Sequence, residues 1–182
     1  MVCLAGLVAA CPGVPAQPSG EAGTWRPDGV FVQVGVAEDA HTLAAGATWD
    51  RRWHRSLGSG RLSLYWELSV GRWRGERDGR RGTAWVTQLG VTPVLRWERR
   101  PYGRGWFVEG GIGGNLLLPL YRSRDKVFST RFNFGDHLGV GRRFGTDGRF
   151  ELALRVQHFS NGGIRHPNPG EDFVQLRAAW RY

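Results

Sequence analysis

The most constraining feature of this chain is a two-residue hydrophobic period that starts at Gly29 and recurs through to Tyr182. In "GVFVQVGV" the side chains of Val30, Val32, Val34 and Val36 share one side. Leu62, Leu64, Trp66, Leu68 and Val70 repeat the pattern against Ser63, Glu67 and Ser69, and Trp85, Leu89, Val91, Leu95 and Trp97 oppose Gln88 and Arg96. Phe128, Phe132, Phe134, Leu138 and Val140 share a side opposite Arg131, Asn133 and His137. Alternate side chains of a strand point to opposite faces, so this period specifies strands with one apolar and one polar face. The pattern predicts eight strands, over 29–38, 41–53, 60–74, 83–99, 105–119, 128–144, 149–161 and 171–182. The segments "SLGSG", "ERDGRRG", "RRPYGRG", "GTDG" and "NGGIRHPNPG" provide the turns.

A soluble sandwich would also alternate. Three features favour an all-β, eight-stranded antiparallel transmembrane barrel. The strands reach the length needed to cross a bilayer. Aromatic residues fall near strand ends, as in an interfacial belt, and the last strand, "EDFVQLRAAWRY", ends on an aromatic residue. Such a sheet must close, because an open edge would leave polar backbone groups in hydrocarbon. The polar faces, carrying Glu67, Arg96, Glu109, Arg131 and Asn133, are then expected to fill the interior as a paired network.

Composition narrows the partners. The 28 glycines have no three-residue period, and nine tryptophans argue against disorder. The formal charge of +9 comes from arginines at strand ends and turns. With no basic helical stripe, nucleic acid is excluded as a partner in favour of anionic lipid headgroups. Residues 1–16, "MVCLAGLVAACPGVPA", are apolar and small, like the core of a secretory leader, and too short to span a membrane. Their lack of a basic flank implies a truncated or misplaced start. Cleavage after Ala16 would remove Cys3 and Cys11; the alternative is a lipoprotein box, "VAAC", ending at Cys11. The expected organisation is therefore a leader over 1–16, a connector over 17–28 and a barrel over 29–182.

One strand breaks its own rule. In "LRVQHFSNGG" the apolar face of Leu152, Leu154 and Val156 continues into His158 and Ser160. The last strand places Asp172 on the face of Val174, Leu176, Ala178 and Trp180, and Glu171 on the other. A base, a hydroxyl and a carboxylate thus converge on the outer face of one hairpin, since paired strands hold opposite side chains about 5 Å apart. That set suits nucleophilic acyl transfer, in which Ser160 attacks, His158 takes its proton and Asp172 orients the imidazole. The loop beyond supplies amide donors for an oxyanion near Asn161, Gly162, Gly163 and Asn168. A non-enzymatic structural or adhesion barrel, with these groups as a polar girdle, is the alternative. His158 and His166 lack a third ligand at metal-binding spacing. His41, His54 and His137 read as loop or interior residues. The sequence gives no cofactor.

The stretch "HFSNGGIRHPNPGEDF" resembles the lipid A 3-O-deacylases of the PagL type. The resemblance is specific over about 155–182 and looser over the earlier strands. It implies a Gram-negative outer-membrane barrel that hydrolyses the ester-linked 3-hydroxyacyl chain at position 3 of lipid A, without metal. Lipopolysaccharide would be the substrate and outer-membrane lipids the surroundings. By position His158 matches the base, Ser160 the nucleophile, and Asn161, Gly163 and Asn168 the oxyanion loop. The family's acid falls on Asp172, but as an aspartate where a glutamate is the pattern, and Glu171 stands one residue earlier. Parity favours Asp172 over Glu171; a bulge would reverse that preference. By analogy with bacterial barrels both termini face the periplasm, which puts the end of the seventh strand at the cell surface.

Overall fold

The computed structural model describes residues 25–76, 82–100 and 102–182. The expected leader over 1–16 lies outside the described residues, as does most of the connector. Eight strands follow in order: β1 (Gly29–Val36), β2 (Ala40–Leu57), β3 (Gly60–Glu76), β4 (Thr83–Arg99), β5 (Gly105–Leu118), β6 (Phe132–Phe144), β7 (Phe150–Ser160) and β8 (Glu171–Arg181). Each pairs antiparallel with its neighbours, and β1 pairs with β8, so the sheet closes into a barrel with no free edge. The alternation is visible in accessibility. On β7 Ala153, Arg155, Gln157 and Phe159 are buried inside while Leu152, Leu154 and Val156 face outward. Outward leucines, valines and tryptophans over the whole circumference make a surface suited only to lipid.

The interior is solid. Arg155 bridges Glu67 at 3.1 Å and Glu109 at 2.6 Å, Arg96 bridges Glu109 at 2.7 Å and Glu151 at 2.9 Å, and Arg177 reaches Glu67 at 3.0 Å. The Tyr65 hydroxyl donates to Glu109 at 2.9 Å. Shared acceptors compensate each buried charge, which is the condition for charges to be tolerated there. These pairs fill the middle of the barrel, and a polar recess of about 410 Å³ remains at the end bordered by Arg61, Arg143 and Arg181.

One end of the interior is sealed differently, by aromatic side chains. Trp73 is fully buried, with ring centroids 4.7 Å from Phe159, 4.9 Å from Phe173 and 5.4 Å from Tyr121, all edge-on. Three sequence expectations change here. β6 begins at Phe132, not at residue 128. Phe128 does not share the outward face of Phe132 and Phe134, but packs inward against Tyr121 with centroids 5.2 Å apart. Arg131, expected inside, is exposed because the strand has not yet started there. The cause is common to all three: the β5–β6 loop dips back into the barrel mouth, and period two says nothing of chain that leaves the sheet. His137 is interior, whereas His41 and His54 are exposed on β2 rather than in loops.

Candidate active site on the outer face of the last hairpin

β7 and β8 pair so that His158 lies directly opposite Asp172, and Phe159 opposite Glu171. Each outward residue is flanked by buried anchors: Gln157, Phe159 and Asn161 on β7 and just beyond it, Glu171 and Phe173 on β8. With Phe159 and Phe173 locked in the aromatic seal, the strands cannot roll, and His158, Ser160 and Asp172 are held outward. The Nδ1–H of His158 donates to Asp172 Oδ1 at 2.7 Å. That bond fixes the tautomer and leaves Nε2 as the basic nitrogen. Ser160 stands one outward position farther along the same strand, half-buried. Among the described residues its hydroxyl has no hydrogen-bond partner.

Glu171 points the other way. It is buried, accepts from Lys126 Nζ at 2.7 Å and from the Tyr121 hydroxyl at 3.0 Å. Burial pushes the Tyr121 hydroxyl upward from the ordinary phenol range, and the Glu171 carboxylate adds to the shift, so it stays a donor. Glu171 therefore clamps the β5–β6 loop to β8 from inside the barrel, on the opposite face from the imidazole.

The loop after β7 is held by its own polar groups. Asn161, buried, donates its side-chain amide to Arg165 O at 2.7 Å and to Ser129 Oγ at 3.0 Å. Its Oδ1 accepts from Gly163 N at 2.9 Å, and its backbone N–H donates to Asn168 Oδ1 at 2.9 Å. Of the residues expected to supply oxyanion donors, Asn161 and Gly163 thus spend their N–H groups on the loop itself. Asn168 uses only its carbonyl oxygen in these contacts, which leaves its NH₂ group free to donate.

Two neighbours were not singled out in the sequence. Gly170, at φ +71°, closes the loop against the imidazole: a Cβ there would stand 2.7 Å from His158 Cε1. The signal was the "NPG" turn, where only glycine takes a positive φ without strain. Gly170→Ala is expected to displace the ring and lower kcat/KM for ester hydrolysis by about 10- to 100-fold, since misplacement by 1 Å costs that much. Steady-state kinetics on the folded variant would check this; an unchanged kcat/KM would show that the ring does not depend on this contact. The second neighbour is Asp136, opposite His158 on the β6 side.

Among the described residues no group of three or more His, Cys, Asp or Glu side chains is arranged to hold a metal ion. The outer wall thus displays a carboxylate bonded to an imidazole, with a hydroxyl next along the same outward face.

Comparison with known proteins identifies the family. The model of the lipid A 3-O-deacylase (PagL) family matches residues 41–181. The lipid A deacylase PagL of Bordetella bronchiseptica is 32% identical over 178 residues, covering 97% of this chain and 92% of that protein. The lipid A deacylase PagL of Pseudomonas aeruginosa is 29% identical over 136 residues, covering 75% and 74%. A crystal structure of the outer membrane enzyme PagL superposes with a TM-score of 0.74 at 27% identity, covering 85% of this chain and 99% of that one. With a family model spanning most of the barrel and a relative matched over nearly its whole length, the chain belongs to the PagL family of outer-membrane lipid A 3-O-deacylases.

Proposed function

We propose that this barrel hydrolyses the ester bond of the 3-hydroxyacyl chain at position 3 of lipid A through a Ser160–His158–Asp172 triad. The observation that carries the reading is the 2.7 Å His158–Asp172 hydrogen bond on the outward face, with Ser160 next on that face. Ser160 Oγ attacks the ester carbonyl as His158 Nε2 takes its proton, and Asp172 stabilises the imidazolium that results. Collapse expels the sugar 3-oxygen, which takes the proton from His158. Water, deprotonated by the same imidazole, then cleaves the acyl-serine and releases the fatty acid. The Asn168 NH₂ group serves the oxyanion, because Asn161 and Gly163 commit their N–H groups to the loop that carries it.

A substrate that is itself a membrane lipid gives an outward site its purpose. The ester can reach Ser160 by lateral diffusion in the outer leaflet, without leaving the bilayer. The test is mass spectrometry of lipid A from Gram-negative cells expressing the protein. Loss of one 3-hydroxyacyl chain is expected, with the mass restored in cells expressing His158→Asn. Unchanged lipid A beside a folded wild-type barrel would refute the reading.

A further inference from the structure

The end of the barrel remote from Ser160 carries more positive charge than its own carboxylates absorb. The polar recess there, about 410 Å³, lies in the size range of small-ligand sites, and six of the residues lining it are arginines. Glu98 accepts from Arg61 at 3.2 Å and from Arg143 at 3.0 Å, Glu151 accepts from Arg96 and Arg143 at 2.9 Å each, and Arg181 pairs with Asp50. Arg51 and Arg52 are exposed, and among the described residues their side chains have no hydrogen bond or ion pair. Two local features converge on the same space. β2 bulges here: between the Asp50–Tyr65 and His54–Ser63 pairs, Arg51, Arg52 and Trp53 stand against Leu64 alone. Bulges re-aim side chains and gather at barrel rims and beside functional sites. This one brings both Arg51 and Arg52 to the recess, where strict alternation would send one of them to the other face. The second feature is Arg61, whose Nε is buried without an acceptor among the described residues. A buried cationic N–H left unpaired is costly, so it marks a place where an acceptor belongs.

From this geometry we infer that the recess is a second ligand site, which binds a soluble phosphate monoester through Arg51, Arg52 and Arg61. Guanidinium groups bond phosphate oxygens through paired, charge-assisted N–H donors. Here they come from two different strands, which suits a tetrahedral anion better than a flat carboxylate. The wall's own acids set a further condition. A ligand with a single charge offers Arg61 no more than Glu98 already does, whereas a phosphate monoester carries about −1.5 to −2 at pH 7. Tyr65, Arg96 and Glu98 line the recess from inside the strand ring, away from the lipid-facing wall, so the ligand comes from water. With Ser160 at the lipopolysaccharide leaflet, this end of the barrel faces the periplasm.

The test is calorimetric titration of the purified full chain, folded in an amine-oxide detergent and a phosphate-free buffer, with glycerol 3-phosphate. Saturable binding is expected, together with a rise in the unfolding midpoint as the ligand is added. Acetate at matched ionic strength should do neither. Arg61→Gln and Arg52→Gln should each weaken the affinity by about 10- to 100-fold, the usual effect of losing hydrogen bonds from a charged donor. Arg52→Gln removes an exposed side chain without a partner, so its loss of binding is not a loss of folding. The heat-modifiable gel shift of a closed barrel reports folding in every variant. Both variants should deacylate lipid A at the wild-type rate, because the recess and Ser160 lie at opposite ends. No saturable binding to the folded wild type, equal binding of acetate, or an affinity unchanged in both variants would overturn the inference. So would an effect obtained only with phosphatidylglycerol in the micelle, which would assign the arginines to lipid.

Discussion

Ser160→Ala is expected to reduce the rate of 3-O-deacylation by roughly 10³-fold or more while leaving the barrel folded. The side chain is half-buried on the outer wall and makes no hydrogen bond that holds the structure. Removing one oxygen there costs little stability, but it removes the hydroxyl proposed to attack the ester. On the proposed mechanism its loss forces direct attack by water, which keeps only what orientation and the proposed oxyanion donor provide. Single-turnover release of fatty acid from lipid A in micelles measures this. A variant retaining more than a tenth of the rate would mean that Ser160 is not the attacking atom.

The second large effect separates two adjacent carboxylates. Asp172→Ala is expected to lower kcat by on the order of 10²–10⁴, because the imidazole loses the acceptor that sets its tautomer and stabilises its charge. Asp172 is well exposed, and in water such a partner would be worth little. At the edge of the hydrocarbon there is less water to replace it. Glu171→Ala should behave in the opposite way. It leaves Lys126 and Tyr121 without their shared acceptor, at a cost of about 1–3 kcal/mol. It should lower the unfolding temperature and leave kcat of the folded protein within a few fold. Glu171→Gln, which keeps an oxygen for Tyr121, should fall between wild type and alanine in stability. Equal losses of kcat at the two positions would contradict the assignment of Asp172 and Glu171 to opposite faces.

The contrast shows what period two can carry. Parity alone set Asp172 beside His158 and Glu171 inside, because β7 and β8 run without a bulge through that row. The same parity misassigned Phe128 and Arg131, which precede β6 and belong to a loop folded into the barrel mouth. Nothing in local alternation encodes that return; it depends on Tyr121, Phe128 and Lys126 finding Trp73 and Glu171, residues far away in the chain. Trp73, by contrast, shares the parity of Glu67 and Ser69 and so points inward into the seal, as the period requires. The hydrogen bonds that commit Asn161 and Gly163 to the loop were equally hidden, since they follow from a backbone path fixed by Ser129 and Asn168. Asp136 is the opposite case: its place in an apolar row was as plain in the sequence as that of His158.

The most direct test of the central claim is covalent. A long-chain alkyl fluorophosphonate, delivered in lipid or detergent to the folded barrel, should phosphonylate Ser160 Oγ with loss of fluoride. Peptide mass spectrometry would then find the label on the segment containing Ser160, and find it much reduced in His158→Asn. A folded preparation that deacylates lipid A while Ser160 stays unlabelled, or that carries the label on another residue, would contradict an outward-facing serine nucleophile.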